Sequence, residues 1–264
     1  MTRGERTQDR DEGAAEGFAE CIVPYMMVPW VADLIALVQP RGEDRVLDLA
    51  CGTGAVASRV PGRVVGLDRN RQMLETARRE ADARILWAQG DAVRLPFLPA
   101  SFDRVLCQQG LQFFLQRAAA LAEIRRVLVP GGRVGVLVWS RIEENPYSLA
   151  LARAVGRHVG DEAGQQLRES FSLGDGSELE TLLREAGFED IQVRPLRKSL
   201  RLAPLAQFVP RHLAGTSLRN VFASQTAEIL AAVVADVVRE TKPLLAGDDV
   251  AFPFEVQTAV GRRR

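Results

Sequence analysis

Between residues 45 and 140 the chain alternates two kinds of block. Short, nearly continuous apolar runs recur: "RVLDLA" (45–50), "RVVGLD" (63–68), "ARILWAQ" (83–89), "SFDRVLCQ" (101–108) and "RVGVLVWS" (133–140). Runs of this length that stop at glycine or polar residues predict strands buried on both faces. Segments with helical spacing lie between them. In "NRQMLETARREA" (70–81), Met73, Leu74, Ala77 and Ala81 share one face; in residues 111–128, Leu121, Ile124 and Leu128 do. Residues 54–60 are expected to open another helix, and "PGG" at 130–132 to turn the chain. Strands alternating with helices predict a parallel sheet covered on both sides, with right-handed crossovers.

The flanks follow other patterns. Residues 1–13 are polar and expected to be disordered. The apolar stretch Glu16–Val38 is divided by Pro24 and Pro29, which predicts a short helix near 14–22 and another from about Pro29 to Val38. Beyond residue 140, segments 146–158 and 177–187 read as helices and 189–202 as a long strand. Residues 204–247 read as mostly helical and 250–263 as a final strand. No internal repeat or low-complexity tract is visible. The expected organisation is a tail and helical lid (1–40), a core (41–140), and a C-terminal part completing the sheet with helical cap elements (141–264).

Composition narrows the function classes. The 264 residues carry 34 basic and 34 acidic side chains. With a formal net charge of zero, no overall field draws the chain to a polyanion, so nucleic acid is not expected as a partner. Cys21, Cys51 and Cys107 are far apart, and His158 and His212 are the only histidines. No metal site is expected from that set, and free thiols suit a reducing compartment. The first residues are charged, unlike a signal peptide, and no uncharged apolar run approaches the roughly 18 residues of a membrane span. A cytoplasmic protein without a membrane partner, monomeric or homodimeric, is expected.

The candidate chemistry centres on "VLDLACGTGAVA" (46–57). In an open parallel sheet, ligands bind beyond the carboxyl ends of the strands. "CGTG" lies at such an end, where Gly52 and Gly54 permit close backbone approach and positive φ, and the following helix would offer free N–H groups to an anion. Three readings stand: a turn that needs glycine for geometry alone, a dinucleotide site, or a site for a cationic ligand. "GTGAVA" fits G-x-G-x-x-A, and Asp68 ends the second strand. Asp48, however, lies inside the first strand. A carboxylate there gives a pyrophosphate nothing, whereas it favours an ammonium or sulfonium.

Five blocks in order resemble class I S-adenosylmethionine-dependent methyltransferases: "VLDLACGTG", "VVGLDRN", "GDAVRLPF" (90–97), "FDRVLCQQGLQFF" (102–114) and "RVLVPGGRVGVLVW" (126–139). The resemblance covers about residues 20–140 and points to the small-molecule branch that includes the ubiquinone and menaquinone C-methyltransferases and many natural-product enzymes. It implies an α/β fold: a doubly wound, seven-stranded, mainly parallel sheet with an antiparallel last strand, Rossmann-like, with a helical cap insertion. It also implies S-adenosyl-L-methionine as cofactor, S-adenosyl-L-homocysteine as product, and a small-molecule acceptor methylated at oxygen, nitrogen or carbon.

Residue by residue, the resemblance implies that the backbone of Ala50, Gly52 and Gly54 cradles the methionine part and that Asp48 orders its ammonium. The other reading of Asp48 is a cap on the next helix. Asp68, with Arg69 beside it, is expected to accept both ribose hydroxyls, since a carboxylate only accepts. Met73 would cover the adenine or simply fill the core. Asp91 would take the adenine amine and Ala92 a ring nitrogen, the alternative for Asp91 being a loop cap. Cys107 and Gln108 would lie beside the cofactor's amino group.

Gln109, Phe114, Trp139 and Tyr25 are the candidate acceptor contacts, with core packing the alternative for Trp139. Phe18, Tyr25 and Trp30 would form a lid or pack in the core. His212 is the candidate general base, ahead of His158. Segments 141–188 and 204–247 would set acceptor choice, and the basic run "RPLRKSLR" (194–201) is either an exposed strand face or an attractor for an acidic acceptor. Two competing readings are a nicotinamide-dependent oxidoreductase, against which Asp48 and "GDAVRLPF" weigh, and a cofactor-binding member of the same fold that does not methylate.

Overall fold

The computed structural model describes residues 14–244 and 251–264. The expected disorder of 1–13, the end of the helical segment at 245–247 and the start of the last strand at 250 lie outside them. Seven strands form one sheet: β1 (Arg45–Leu49), β2 (Arg63–Asp68), β3 (Leu86–Gln89), β4 (Phe102–Gln108), β5 (Leu128–Trp139), β6 (Phe188–Arg201) and β7 (Ala251–Arg263). Their order is β3-β2-β1-β4-β5-β7-β6. The pairs β1/β2, β1/β4, β2/β3 and β4/β5 are parallel, while β7 runs antiparallel to β5. This is the parallel sheet that the strand and helix pattern predicts, in the doubly wound form with an antiparallel last strand that the resemblance implies. Its switch point, where strand order reverses, lies between β1 and β4.

The helices are α1 (Ala14–Gly17), α2 (Val31–Val38), α3 (Arg71–Glu80), α4 (Arg117–Val127), α5 (Pro146–His158), α6 (Asp161–Arg168), α7 (Gly176–Glu185), α8 (Leu205–Ala214), α9 (Arg219–Ala223) and α10 (Ala227–Thr241). The chain divides into two compact units. One comprises Met27–Arg141, Ser170–Leu196 and Glu255–Arg264. The other comprises the described part of the first 26 residues, Ile142–Glu169 and Arg197–Phe254.

In the first unit, α2 packs on β4 and β5. A Cβ on Gly135 would come within 2.6 Å of Val38 and 3.1 Å of Leu34, so this glycine sets how closely the helix approaches the sheet. Arg104 then donates from Nε to the carbonyl of Val38 at 2.8 Å and closes the helix end. Asn70 caps α3 by accepting from Gln72 N at 2.9 Å. In the second unit, α5 packs against α6 and α10. Asp236 on α10 pairs with Arg157 and His158 on α5 and with Arg239 on its own helix.

Several local expectations are corrected. Residues 54–60 form successive turns rather than a regular helix: Ser58 N bonds Gly54 O at 3.0 Å, whereas Arg59 N bonds Val56 O at 2.9 Å. β3 begins at Leu86 rather than 83, because Asp82 draws Arg84 N into a side-chain turn at 3.0 Å. The helix expected over 111–128 starts only at Arg117; Leu111–Phe113 is a single tight turn, and Phe114 is extended. The "PGG" turn is an excursion within β5, which pairs Leu128 with Phe102 and resumes at Arg133 with Arg104. Helix α6 was not anticipated.

Pro24 does not divide the N-terminal segment. The chain winds through Phe18–Met27 in wide turns, which spare the proline ring the carbonyl clash of an α-helix. Ala15–Val38 is consequently one helical run of 24 residues with the length and apolar composition of a membrane span. The run carries Glu16, Glu20 and Asp33, so no uncharged stretch of about 18 residues lies within it, as expected, although Pro24 does not break it. Trp30, Val31, Leu34 and Val38 of that run are buried in the protein.

Candidate active site

The site is built where β1, β2 and β4 end. The chain leaves β1 through three alternate positive-φ positions: Ala50 has φ 56°, Gly52 φ 53° and Gly54 φ 86°. The positive φ expected of the glycines is present. The open space expected beside Gly54 is not, since a Cβ there would lie 2.5 Å from the Trp87 indole. Trp87 also fills the space over Gly66, its register partner on the neighbouring strand. Gly54 therefore serves the packing of the turn on β3. No regular helix follows, so the anion-binding helix end expected there is not formed.

Two carboxylates hold the turn. Asp48 is 1% exposed and accepts from Ala57 N at 2.9 Å. Burial, with the nearby Asp68 charge as a smaller contributor, pushes its carboxyl up to about 7. Asp68 accepts from Gly52 N at 2.9 Å with one oxygen and from Asn70 N at 2.8 Å with the other. Burial raises it as well, opposed by those backbone bonds. Each carboxylate oxygen has a second acceptor site, so Asp68 retains capacity for a diol. Two buried carboxylates to which, among the described residues, no cationic side chain is hydrogen-bonded make this a place that favours a positively charged group. The residues present thus fit an ammonium-bearing nucleoside.

The remaining candidates fall into place around this turn or away from it. Arg69 is exposed; its carbonyl accepts from Gln89, and its charge helps keep Asp68 ionised. Met73 is half-buried on α3. Asp91 is exposed and accepts from Val93 N at 3.1 Å, the loop cap that was its alternative role, and Ala92 beside it is buried. Cys107 is fully buried and its thiol is pushed up to about 12 by burial. Gln108 donates to the Met27 carbonyl at 2.7 Å. Gln109 has φ 54° and accepts from Trp139 N at 3.1 Å and from Gln112 Nε2 at 2.6 Å. Phe114 is half-buried against the core of the sheet.

Trp139 stands between Trp30 and Phe171, each 6.2 Å away between ring centroids. Trp30 has no exposed surface, so it is a core residue rather than part of a lid. In the basic run, Arg197 pairs with Glu144 and the Arg194 carbonyl accepts from Thr258, as expected of a strand face.

His212 lies in the helical unit, 9% exposed, with its Nδ1 2.8 Å from the Tyr147 hydroxyl. Phe208, Phe252 and Phe254 surround Tyr147, and Tyr25 packs edge-on against Phe208 at 5.4 Å. Donation from His212 to Tyr147 would leave the hydroxyl proton buried without an acceptor. Tyr147 therefore donates, and His212 carries its proton on Nε2. Burial lowers the imidazole to about 4. The ring is a neutral donor whose basic nitrogen is already engaged, which does not suit the base role assigned to it. His158 is tied to Asp236 at 3.0 Å.

The sequence reading missed Trp87, Tyr147 and Gln112. Their signals exist only in three dimensions: the register of β3 on β2, and partners 65 and 3 residues away.

The family model "Methyltransferase domain" matches residues 47–136, which span β1 to β5. The ubiquinone/menaquinone biosynthesis C-methyltransferase UbiE of Paracoccus denitrificans is 36% identical over 187 residues, covering 63% of this chain and 75% of that protein. The 2-phytyl-1,4-naphtoquinone methyltransferase of Thermosynechococcus vestitus is 35% identical over 203 residues, covering 69% and 85%. A solved structure with the same fold, phosphoethanolamine N-methyltransferase 2 of Haemonchus contortus with S-adenosylhomocysteine, superposes with a TM-score of 0.61 at 20% identity, covering 98% of this chain and 58% of that one. The chain belongs to the class I S-adenosylmethionine-dependent methyltransferases. Within that class it falls in the quinone-methyltransferase branch and uses S-adenosyl-L-methionine as its cofactor; nothing favours the oxidoreductase reading.

Proposed function

We propose that the protein methylates a hydroxylated aromatic ring of the quinol type, at carbon. The observation that carries this reading is the extended similarity, 187 and 203 aligned residues, to two enzymes named for quinone methylation. Aromatic side chains next to the tip of β4 support it: Trp139 faces Phe171, at a tilt of 30°.

S-adenosylmethionine supplies an electrophilic methyl on a sulfonium whose leaving group is a neutral thioether. The residues of this chain bind, orient and exclude water. Asp48 neutralises an ammonium, Asp68 accepts a ribose diol, and the left-handed backbone at Ala50, Gly52 and Gly54 presents peptide groups to the methionine part. Asp91 and Ala92 hold the adenine, with Arg69 and Met73 beside the nucleoside and Cys107 and Gln108 beside the amino group. Alignment of the nucleophile is the main contribution such an enzyme makes. Among the described residues no side chain of the turn is placed as a base; the ring hydroxyl supplies the electron density with which a ring carbon takes the methyl as its bond to sulfur breaks, and the ring proton displaced from that carbon passes to solvent. Three free, buried cysteines support a reducing, cytoplasmic setting.

The test is methyl transfer from isotopically labelled S-adenosylmethionine to a panel of demethylated hydroquinones, aryl amines and thiols, with the product located by carbon NMR. A new methyl on a ring carbon of the hydroquinones is expected. Transfer to nitrogen or sulfur alone overturns the reading.

A further inference from the structure

At the tip of β4, two glutamine amides are locked in orientation and left half-used. Gln109 Oε1 accepts from Trp139 N at 3.1 Å and from Gln112 Nε2 at 2.6 Å. The first donor is a backbone N–H, so the oxygen assignment of Gln109 is fixed; the second then fixes that of Gln112. Both lone pairs of Gln109 Oε1 are occupied. Gln109 Nε2 and Gln112 Oε1 are buried and, among the described residues, have no hydrogen-bond partner. Gln112 is only 4% exposed. Its backbone carbonyl is separately engaged by Arg117 at 3.1 Å and Ser172 at 3.2 Å, which hold the residue in place. Buried amide groups are seldom left unpaired, and Gln109 is held besides in the left-handed region, at φ 54°.

The two open positions are opposite in kind: one donor, one acceptor. A ketone accepts only and would leave Gln112 Oε1 unpaired. An ammonium donates only and would leave Gln109 Nε2 unpaired. A hydroxyl does both. The same amide pair is anchored to the backbone of Trp139, whose indole faces Phe171. We propose that Gln109 and Gln112 form a receptor for a ring hydroxyl of the acceptor, with Trp139 and Phe171 as the wall for its ring. This rests on the quinol reading above and sharpens it: the donor at Gln109 Nε2 and the acceptor at Gln112 Oε1 are the groups that set a preference for a hydroxyl over a carbonyl on the acceptor ring.

The experiment titrates the protein, with and without S-adenosylhomocysteine, with three probes of similar size: 1-naphthol, 1-methoxynaphthalene and 1-tetralone. Ligand-observed NMR reports binding. Wild type is expected to bind 1-naphthol about tenfold tighter than the other two. Gln109→Met and Gln112→Met are expected to lose that preference while retaining S-adenosylhomocysteine affinity. Gln112→Met keeps the bond from Trp139 to Gln109 and so guards against loss of fold. The proposal is overturned if wild type binds the three probes equally or binds 1-naphthol not at all. It is also overturned if the preference survives in both variants, or if a 1-naphthol complex shows only water between the amides. Failure of wild type to bind S-adenosylhomocysteine would count against the cofactor site alone, because the hydroxyl preference is also read without it.

Discussion

Replacing Asp48 by asparagine isolates the charge at the centre of the turn. The variant keeps a side-chain oxygen for Ala57 N, which lies 2.9 Å from Asp48 in the native protein. Burial raises the folded carboxyl from 3.8 to about 7. Between those values the native state binds a proton that the unfolded chain does not. The stability tied to this group is therefore fully present below about pH 4 and is lost as pH rises through about 7. A shift of about 3 pK units corresponds to roughly 4 kcal/mol. At 1% exposure Asp48 is not screened by solvent, so no discount applies.

Urea unfolding of the ligand-free protein at pH 5 and pH 8 reads the difference. The asparagine variant should be more stable than wild type at pH 8, and its advantage should grow by about 2–3 kcal/mol between the two pH values. Binding of a cofactor ammonium should reverse the shift. Calorimetry at pH 7 in buffers of different ionisation enthalpy should then show release of about half a proton in wild type and none in the variant. A variant that is less stable at pH 8, or an advantage independent of pH, would refute the account of Asp48 as a carboxyl buried to receive a cation.

Gly54→Ala should destabilise by about 2 kcal/mol or more, since a Cβ meets Trp87 at 2.5 Å and φ is 86°; Trp87→Leu should recover part of that in thermal denaturation. His212 carries the opposite linkage to Asp48: with the folded imidazole at about 4, stability falls as pH drops from about 6.5 toward 4, by about 3 kcal/mol, and His212→Phe should abolish that slope. Tyr147→Phe should cost about 1–2 kcal/mol in urea unfolding by removing its bond to His212. If instead it abolishes methyl transfer without changing stability, the pair belongs to the chemistry rather than to the packing.

The central strands were legible because buried parallel strands leave unbroken apolar runs, and β1, β2 and β4 were bounded to within one residue. The positions of Asp48 and Asp68 followed, since strand ends locate them. The short edge strand β3 was overextended because Ile85 continues its apolar run, while Asp82 diverts the backbone. Pro24 misled in the other direction, because a wide turn accommodates a proline that an α-helix would not. Trp87 against Gly54 and Tyr147 against His212 were invisible for a different reason. Each depends on which residue a strand register or helix packing sets opposite another, and periodicity within one element carries no such information.

The central claim is that carboxylates at neighbouring strand ends select an amino-acid nucleoside, and Asp68 offers its most direct test. Isothermal titration of S-adenosylhomocysteine into wild type and Asp68→Asn, both verified as folded by circular dichroism, measures the contribution of the ribose acceptor. Loss of affinity by about 1–3 kcal/mol, roughly five- to 150-fold, is the predicted result. Equal affinity in the two proteins would contradict it.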